Sequence, residues 1–443
     1  MEQAEFEQVV ASFAGFHGEF APLFGRKEAQ RRSEQYLRGL LVQQTDRRNA
    51  ENLAEAIEGA TPRTLQRFLT EAPWSSEVVI ERLQSYLGQQ LRLSTPQGVF
   101  ILDDTGFAKQ GTKSVGVARQ YSGTLGKIGN CQVGVFLAYA SDASEFGRGD
   151  GWEHALVDKA LYLPHAWVDN PERCRAAGVP QADITYRTKA ELGLRLLRQA
   201  RGWGHLAGRW VTADEDYGKV PTFRDALDAE GFWYVMEVQC TTQVFEQPAM
   251  TQVREWVGNG RPPTKTRLVR GEPGPVAVEV WAARLPDREW QELTVAEGAQ
   301  GPRSYQFAAK RVWEHREGIP GRNCWLIVRR NLDGSELKYY FSNAPADMPL
   351  LKLAEVGAVR WTIETEFQTE KGETGLDEYE VRSWHSWHHH ITLALLAGAF
   401  LLQVQQEWGG KDASNHSNAS KSGAEGAIAA AELDARGVMV VAG

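Results

Sequence analysis

The spacing of hydrophobic and polar positions changes along the chain. Up to about residue 95, apolar residues recur at helical spacing with few β-branched runs, which predicts an N-terminal helical domain, 1–95. From Gly98, apolar runs separated by Gly, Lys and Asn predict three strands, at 98–103, 114–121 and 131–140. Helices and strands then alternate, at 189–200 (helix), 209–214 (strand), 222–229 (helix) and 232–238 (strand). This order is typical of an α/β domain with a mixed sheet, and we place its first part at 96–239.

The α/β pattern is interrupted before it is completed. Residues 240–345 are rich in short strands, prolines and tryptophans, which predicts an inserted β-rich subdomain. Helical spacing returns over 346–408, and the apolar stretch from Ile391 to Val404 predicts a buried helix, since it is too short to span a membrane. The small, polar and alanine-rich end, 409–443, predicts a flexible low-complexity tail.

The segment from Asn49 to Leu69 predicts a helix, a tight turn and a second helix. Gly59 stands where the first helix would end, and Thr61-Pro62 opens the next one. Arg63 and Arg67 lie four residues apart on the second helix. This outline resembles a DNA-binding helix-turn-helix, but an ordinary helical hairpin with solvated arginines fits the same pattern.

Charge and cysteine usage add weak constraints. The formal net charge of −8 is unfavourable for a nucleic-acid partner, although residues 26–48 carry a local excess of +4. The four cysteines form no C-x-x-C pair, so we expect reduced thiols, mostly in the core. The N-terminus has no signal-peptide pattern, so we expect a cytoplasmic protein, associated with the nucleoid if it binds DNA.

Two aspartates directly follow apolar runs. Asp103 comes after VFIL and Asp214 after WVTA, so we expect both carboxylates at the C-terminal ends of strands, where they can converge. Neighbouring carboxylates repel unless a cation lies between them, and hard oxygen ligands suit Mg²⁺ or Mn²⁺. Asp104 and Asp216 compete for the same roles. Alternatively, each aspartate caps a turn or the following helix.

A third acidic position lies in the segment RWTIETEFQTEK. On one continuous helix, Arg360, Glu364 and Lys371 would lie within about 40° of one another, while Glu366 would point elsewhere. A carboxylate flanked by two cations suits a metal ion next to DNA phosphate. The alternative is an ordinary Arg–Glu surface pair four residues apart.

The histidine-rich segment HSWHHH, 385–390, invites a metal hypothesis. His385 and His389 have the helical spacing of a zinc pair, but no carboxylate or cysteine is arranged around them in a familiar way. We therefore expect a polar or phosphate-facing start of a helix.

Three separated blocks together resemble a known family. DDTGFAKQGTKSVGVARQYSGTLGKIGNCQVGVF, then TADEDYGK, then RWTIETEF with GLDEYEVRSWHSW, are similar to the DDE insertion-sequence transposases, of the family seven-oh-one type. The resemblance covers roughly residues 15–405. It implies an RNase H-like catalytic core, with an N-terminal helical DNA-binding domain and a β-strand insertion before the last helices.

The resemblance also implies roles for individual residues. Asp103, Asp214 and Glu364 match the three catalytic carboxylates, which would hold two Mg²⁺ or Mn²⁺ ions. The remaining positions are expected to contact DNA: Arg360, Lys371, Lys109, Arg119, Arg63 and Arg67. In the wider group the last block reads Y-x-x-R-x-x-x-E, but here Gly357 stands in place of the tyrosine, so this chain departs from the family pattern at a position expected to contact the DNA end.

The implied reaction is cut-and-paste transposition. The enzyme would cleave at terminal inverted repeats of double-stranded DNA and transfer the 3′-OH into target DNA, as a homodimer on paired ends. Two alternatives stay open. One is a catalytically decayed or domesticated transposase that only binds DNA, which Gly357 and the unusual tail leave possible. The other is a nuclease that acts on RNA–DNA hybrids or branched DNA.

Overall fold

The computed structural model describes residues 3–42, 47–123, 126–148, 151–258, 261–296, 301–408, 432–433 and 439–440. They form two compact units. The first comprises residues up to 98, 102–208 and those from 361 onwards, and the second comprises 99–101 and 209–360. Apart from two short strands, the predicted tail at 409–443 lies outside the described residues.

The helices and strands are numbered separately in chain order. The α-helices are α1 Gln3–Phe20, α2 Lys27–Leu41, α3 Ala50–Ala56, α4 Pro62–Thr70, α5 Ser76–Gln89, α6 His165–Val168, α7 Pro171–Ala176, α8 Lys189–Trp203, α9 Glu215–Gly218, α10 Pro221–Ala229, α11 Val278–Ala282, α12 Leu350–Ala358, α13 Trp361–Glu373 and α14 Trp384–Trp408. The strands are β1 Val99–Ala108, β2 Ala118–Ser122, β3 Lys127–Asp142, β4 Trp152–Leu161, β5 Trp210–Ala213, β6 Trp233–Val238, β7 Gln243–Phe245, β8 Thr251–Val253, β9 Thr266–Leu268, β10 Val276–Ala277, β11 Gln291–Ala296, β12 Arg303–Arg316, β13 Ile319–Arg330, β14 Leu337–Ser342, β15 Glu432–Leu433 and β16 Met439–Val440.

The helical part of the first unit packs around α14. This helix is mostly buried and contacts α1, α2, α4 and α5. Phe400 of α14 meets Phe13 and Phe16 of α1 with ring centroids 5.3 and 5.4 Å apart, and edge or tilted contacts of this kind stabilise aromatic pairs. The buried helix that the apolar stretch predicts is therefore confirmed.

The helix–turn–helix outline is also present. Asn49 caps α3 through its side chain, Gly59 has a φ of 69° in the turn, and Thr61 and Thr64 form a capping box at the start of α4. A positive φ is accessible to glycine at little steric cost, which explains Gly59 at this position. The geometry confirms two helices joined by a tight turn; their role in DNA binding stays a prediction.

The sheet of the first unit is built on the long strand β3. Its first half pairs antiparallel with β2, from Ala118↔Cys131 to Ser122↔Lys127, and its second half pairs antiparallel with β4. Helices α8 and α13 pack against strands of this sheet. Three sequence predictions need correction here: β1 continues to Ala108, residues 114–117 are not a strand, and β4 was not predicted.

The second unit contains a mixed sheet in the order β10-β7-β12-β13-β14-β6-β5, with residues 99–101 of β1 beside β5. Strands β5 and β6 are parallel, while β6, β14, β13, β12 and β7 pair antiparallel. A buried ion pair joins Arg224 of α10 to Glu314 of β12, at 2.9 Å. Most of the predicted β-rich insertion thus extends the sheet that β5 and β6 begin.

Two further expectations can be compared with the structure. Cys131, Cys174 and Cys324 are buried, Cys240 is exposed, and all four are free thiols. The prediction of reduced thiols that lie mostly in the core is therefore confirmed. Among the described residues, no helix is long and apolar enough to cross a lipid bilayer.

Candidate catalytic site

Adjacent aspartates on β1 point to opposite faces of the strand, because side chains alternate along a strand. Asp104 accepts a hydrogen bond from Lys189 Nζ, at the start of α8, at 2.8 Å. Thr105, on the same face as Asp103, accepts one through Oγ1 from Lys371 Nζ of α13, also at 2.8 Å. These contacts separate the two rival residues: Asp104 faces a lysine of α8, and Asp103 lies on the face that α13 contacts.

The position of Asp103 along the strand differs from the prediction. Its side chain was expected at the C-terminal end of the first strand, but β1 continues for five residues beyond it. The strand continues past the polar pair Asp103-Asp104, and Phe107, later in the same strand, is again buried in the core. Asp103 is half-buried in mid-strand, and its Oδ1 accepts a hydrogen bond from the N–H of Asp104 at 2.7 Å.

Helix α13 carries Glu364 and Lys371 on one stripe, since seven residues amount to almost two full turns. Glu364 is exposed, whereas Lys371 is partly buried and its pKa is lowered by the loss of hydration. Glu366 points elsewhere, as predicted, and contacts His154 Nδ1 of β4 at 2.7 Å. The Lys371–Thr105 bond therefore fixes one end of the Glu364–Lys371 stripe against β1.

Arg360 does not share that helix. The chain turns at Val359 and Arg360, between α12 and α13, so the predicted stripe of Arg360, Glu364 and Lys371 on one continuous helix is wrong. The Arg360 side chain is mostly buried in the second unit, where its Nε lies 3.5 Å from Oε2 of Glu237. Its proposed contact with DNA stays a prediction, and the ion pair with Glu237 favours a structural contribution.

Asp214 follows β5 directly and caps helix α9. Its Oδ1 accepts hydrogen bonds from the N–H groups of Asp216 and Tyr217, at 3.0 and 3.4 Å. The capping alternative is thus observed for this residue. Asp216 instead forms an exposed ion pair with Lys219, which directly follows the same helix. The two rivals therefore differ in environment, and only Asp214 lies directly at the end of the strand.

The glycine of the ADEDYGK block is required by close packing. A Cβ atom on Gly218 would lie 1.8 Å from the carbonyl oxygen of Glu237 in β6. Tyr217, beside it, is buried. Together they hold the short helix α9 against β6, and so fix the position of Asp214 at its first turn.

The three predicted catalytic carboxylates are divided between the units. Asp103 and Glu364 belong to the first unit, and Asp214 to the second. Within the part of the chain that the structure describes, no group of three or more His, Cys, Asp or Glu residues is arranged to hold a metal ion. The metal site of Asp103, Asp214 and Glu364 therefore stays a prediction.

The other predicted DNA contacts have different surroundings. Lys109 donates to the carbonyl oxygen of Tyr379 at 2.9 Å and lies over its ring, and burial lowers its pKa to about 8. These contacts favour a structural role. Arg119 is exposed on β2, and Arg63 is exposed on α4. Arg67 is also exposed on α4, but it forms an ion pair with Glu71 at 2.7 Å.

The histidine segment was expected to form a polar or phosphate-facing start of a helix, but part of it is buried. His389 and His390 are buried, so a phosphate-facing role is wrong for both. His390 accepts a hydrogen bond from the Tyr36 hydroxyl and donates one to the carbonyl oxygen of Gly375, at 2.9 and 3.0 Å. His389 stacks on Trp74 at 3.6 Å, with its ring nitrogens 3.0 and 2.9 Å from two backbone carbonyl oxygens. The segment joins α14 to the N-terminal helices.

Sequence reasoning missed the partners of three charged residues near the candidate site. Lys189, Thr105 and His154 contact Asp104, Lys371 and Glu366 respectively. One signal was available for Thr105: if the strand continues past Asp103, the residue two positions later shares its face. No local pattern identifies Lys189 or His154, because their partners are far away in the sequence.

Enzymes that cleave phosphodiesters commonly use metal ions held by the protein. Residues 19–302 match the family model described as "DDE superfamily endonuclease". The match covers more than half of the chain, and this chain therefore belongs to that family. Asp103 and Asp214 lie within the matched residues, and Glu364 lies beyond them.

Two individual proteins align with this chain. The chain is 29% identical over 208 residues to a "probable transposase for insertion sequence element IS701" from Microchaete diplosiphon; the match covers 46% of this chain and 48% of that protein. It thus spans about half the length of this curated relative. A solved piggyBac transposase synaptic complex with hairpin DNA aligns over 96% of this chain and 78% of that one, at 8% identity and a TM-score of 0.35.

Proposed function

We propose that this protein is a cut-and-paste DNA transposase with an RNase H-like catalytic core. The observation that carries the proposal is the hydrogen bond from Lys371 to Thr105, which joins the Glu364–Lys371 stripe of α13 to the face of β1 that bears Asp103. Membership of the DDE superfamily endonuclease family and the similarity to a probable transposase support the same function.

The donor chemistry fits divalent metal ions. Asp103, Asp214 and Glu364 supply carboxylate oxygens, the ligands that Mg²⁺ and Mn²⁺ prefer, and they would hold two ions. When bound, such ions activate the attacking oxygen and stabilise the leaving oxygen of the phosphodiester. Since Asp104 is engaged by Lys189, the β1 carboxylate that we assign to the metals is Asp103.

The remaining residues bind and position the DNA. The ammonium group of Lys371 is held near Asp103 by Thr105, where it can attract a phosphate of the strand to be cut. Exposed Arg63 on α4 suits a role in reading terminal inverted repeats of double-stranded DNA. Two ends must be joined to a target, so we propose a homodimer on paired ends; monomers alone in light scattering on paired ends would exclude it.

One observation favours a second candidate, a decayed transposase that binds DNA without cutting it. Gly357 replaces the tyrosine of the wider group, and a Cβ atom there would lie 3.3 Å from Val235 Cγ1 and 3.8 Å from the ring of Tyr340. A side chain at this position would press on Val235, so the packing of α12 is tight around Gly357. Contacts that such a tyrosine would make to a DNA end are therefore absent from this chain.

A cleavage assay separates the two candidates. The substrate is a labelled duplex with the element's own terminal repeat, in Mg²⁺ or Mn²⁺, and the proteins are wild type, Glu364→Ala and the control Glu366→Gln on the same helix. We expect cutting at the repeat boundary by wild type and control, and none by Glu364→Ala. Tight binding without cutting by all three proteins would favour the decayed, DNA-binding protein.

Strand transfer distinguishes a transposase from other nucleases of this fold. In the same assay, a second unlabelled duplex is added, and a labelled product longer than the substrate reports joining of the 3′-OH. Cleavage without any joined product would favour a nuclease for RNA–DNA hybrids or branched DNA over a transposase.

A further inference from the structure

A cleft of about 810 Å³ lies in the first unit, beyond the end of β1. Its walls come from the loop after β1, from β2 and β3, from the α6–α7 segment and from the residues just before α14. Among the described residues that line it, the charged ones are all cationic: Lys113, Arg119, Arg173 and Arg382. None of these described lining residues is a carboxylate, although the whole chain carries a formal net charge of −8.

Backbone hydrogen bonds hold the walls together. The N–H of Val115 donates to the carbonyl oxygen of Arg382 at 2.9 Å, and the N–H of Trp384 donates to that of Ala177, also at 2.9 Å. Asn130 Nδ2 donates to the carbonyl oxygens of Lys109 and Gly111, at 2.7 and 2.8 Å. The loop after β1 is therefore hydrogen-bonded both to β3 and to the segment before α14, so the shape of the cleft is fixed by the fold of this unit.

One arginine is held rigidly at the wall. Arg173 donates to the carbonyl oxygen of Thr112 at 2.8 Å and to that of Ala166 at 3.3 Å, and its guanidinium lies 3.8 Å from the ring centroid of Trp167. Among the described residues, these hydrogen-bond and ring partners of Arg173 are all neutral groups. Lys113, Arg119 and Arg382 are exposed, and none of the four forms a salt bridge with any described residue.

We propose that the cleft binds the sugar–phosphate backbone of a DNA duplex away from the bond that is cut. This proposal rests on the proposed transposase function and adds a second DNA-binding site to it. Four cations from four separate chain segments match a row of phosphates better than a single small anion, because a duplex presents charges along its length. The cleft would contribute affinity without sequence specificity, since phosphate contacts carry no base information.

The position along β1 sets a scale for the contact. Lys109, whose carbonyl oxygen is tied to Asn130 of the cleft, is six residues beyond Asp103 on an extended segment. Six residues of strand span roughly 20 Å, or roughly six base pairs of duplex DNA. The phosphates bound in the cleft should therefore lie about half a helical turn or more from the cleavage site.

The test measures how DNA affinity depends on salt, in the absence of divalent metal. Full-length wild type, the double variant Lys113→Gln/Arg382→Gln and the control double variant Arg198→Gln/Arg201→Gln are compared on one labelled duplex. The control removes the same charge from two exposed arginines of α8 that do not line the cleft. Thermal unfolding of all three proteins verifies that the folds are intact.

The expected result is a change in the slope of log K against log salt concentration. Each phosphate contact contributes about 0.9 to that slope, so the cleft variant should lose about 1.8 and the control should match wild type. An unchanged slope in the cleft variant, or a wild type that does not bind DNA, would overturn the proposal. If wild type cleaves DNA but the cleft variant has the same salt slope as wild type, only the role of the cleft is contradicted. If binding depends on the cleft but wild type does not cleave, only the proposed enzymatic activity is contradicted.

Discussion

Lys371 Nζ of α13 donates a 2.8 Å hydrogen bond to Oγ1 of Thr105, which lies on β1 two residues after Asp103 and on the same face. Thr105 is buried and Lys371 is partly buried, so this bond is largely removed from water. The hydrogen bond thus joins a strand that bears one proposed metal ligand to a helix that bears another.

Replacing Thr105 tests that contact. Thr105→Val removes the acceptor while it keeps the shape, and the variant should lose about 1 kcal/mol or more of unfolding free energy, since a partly buried ammonium loses its partner. Strand cleavage should slow as well. Urea unfolding and the cleavage assay measure the two effects. Thr105→Ser, which keeps the hydroxyl, should retain cleavage; equal cleavage by the valine variant would exclude a role for the contact.

The two aspartates of β1 should behave differently. Asp103→Asn should abolish metal-dependent cleavage, because an amide is a poor substitute for a metal-binding carboxylate. Asp104→Asn should weaken the ion pair with Lys189 and lower stability, but leave cleavage by the folded protein largely intact. Cleavage rates in Mg²⁺ at a temperature where both variants are folded decide the assignment. The reverse pattern would make Asp104 the metal ligand.

Asp214 combines a structural and a proposed chemical role, and one substitution separates them. Asn is as good an N-cap as Asp, so Asp214→Asn should keep the stability of the protein and yet lose cleavage. Asp214→Ala should lose cleavage and also about 1 kcal/mol of stability. Asp216→Asn serves as the control and should retain both properties. If Asp214→Asn cleaved DNA normally, its carboxylate would serve only as a cap.

The stability of the protein should fall in mild acid because of His390. Burial lowers the pKa of this histidine to about 3, below the usual value near 6.5. Between these values the unfolded chain binds a proton that the folded protein does not bind, so stability is lost as the pH falls below 6.5. At pH 5.5 the loss from this residue is about 1 kcal/mol.

Two histidine variants isolate this contribution. Urea unfolding at pH 7.5 and 5.5 should give a smaller difference for His390→Gln than for wild type, by about 1 kcal/mol. His165→Gln, which changes an exposed histidine, should give the same difference as wild type. If His390→Gln kept the full difference, the acid sensitivity would come from other groups.

Local patterns predicted much of the fold. Helix α8 begins at Lys189 as expected, and β5 and β6 lie within the expected ranges, because their apolar residues repeat with clear periods. Strand β4 was missed, since Glu153, His154, Asp158 and Lys159 interrupt its apolar positions. Asp158 and Lys159 are nevertheless buried, so packing against neighbouring elements overrode the local pattern.

The candidate site was predictable only in its residue types. Asp103, Asp214 and Glu364 stand out because carboxylates follow or flank apolar runs, but the turn at Arg360 divides a segment that reads as one helix. His389 and His390 are buried next to backbone carbonyl groups. Those near His389 belong to residues more than 300 positions away in the sequence. Contacts of this kind follow from the complete fold and leave no trace in the local spacing.

Strand β1 is shared between the units, with residues 99–101 in the second and the following residues in the first. A gene fragment that encodes only residues 209–360 would therefore lack one strand of its own sheet, and β5 would become an open edge. Open edges recruit other chains, so such a fragment should aggregate when it is expressed alone. A soluble version would need the segment around Val99–Ile101 fused to the N-terminus of the fragment through a linker.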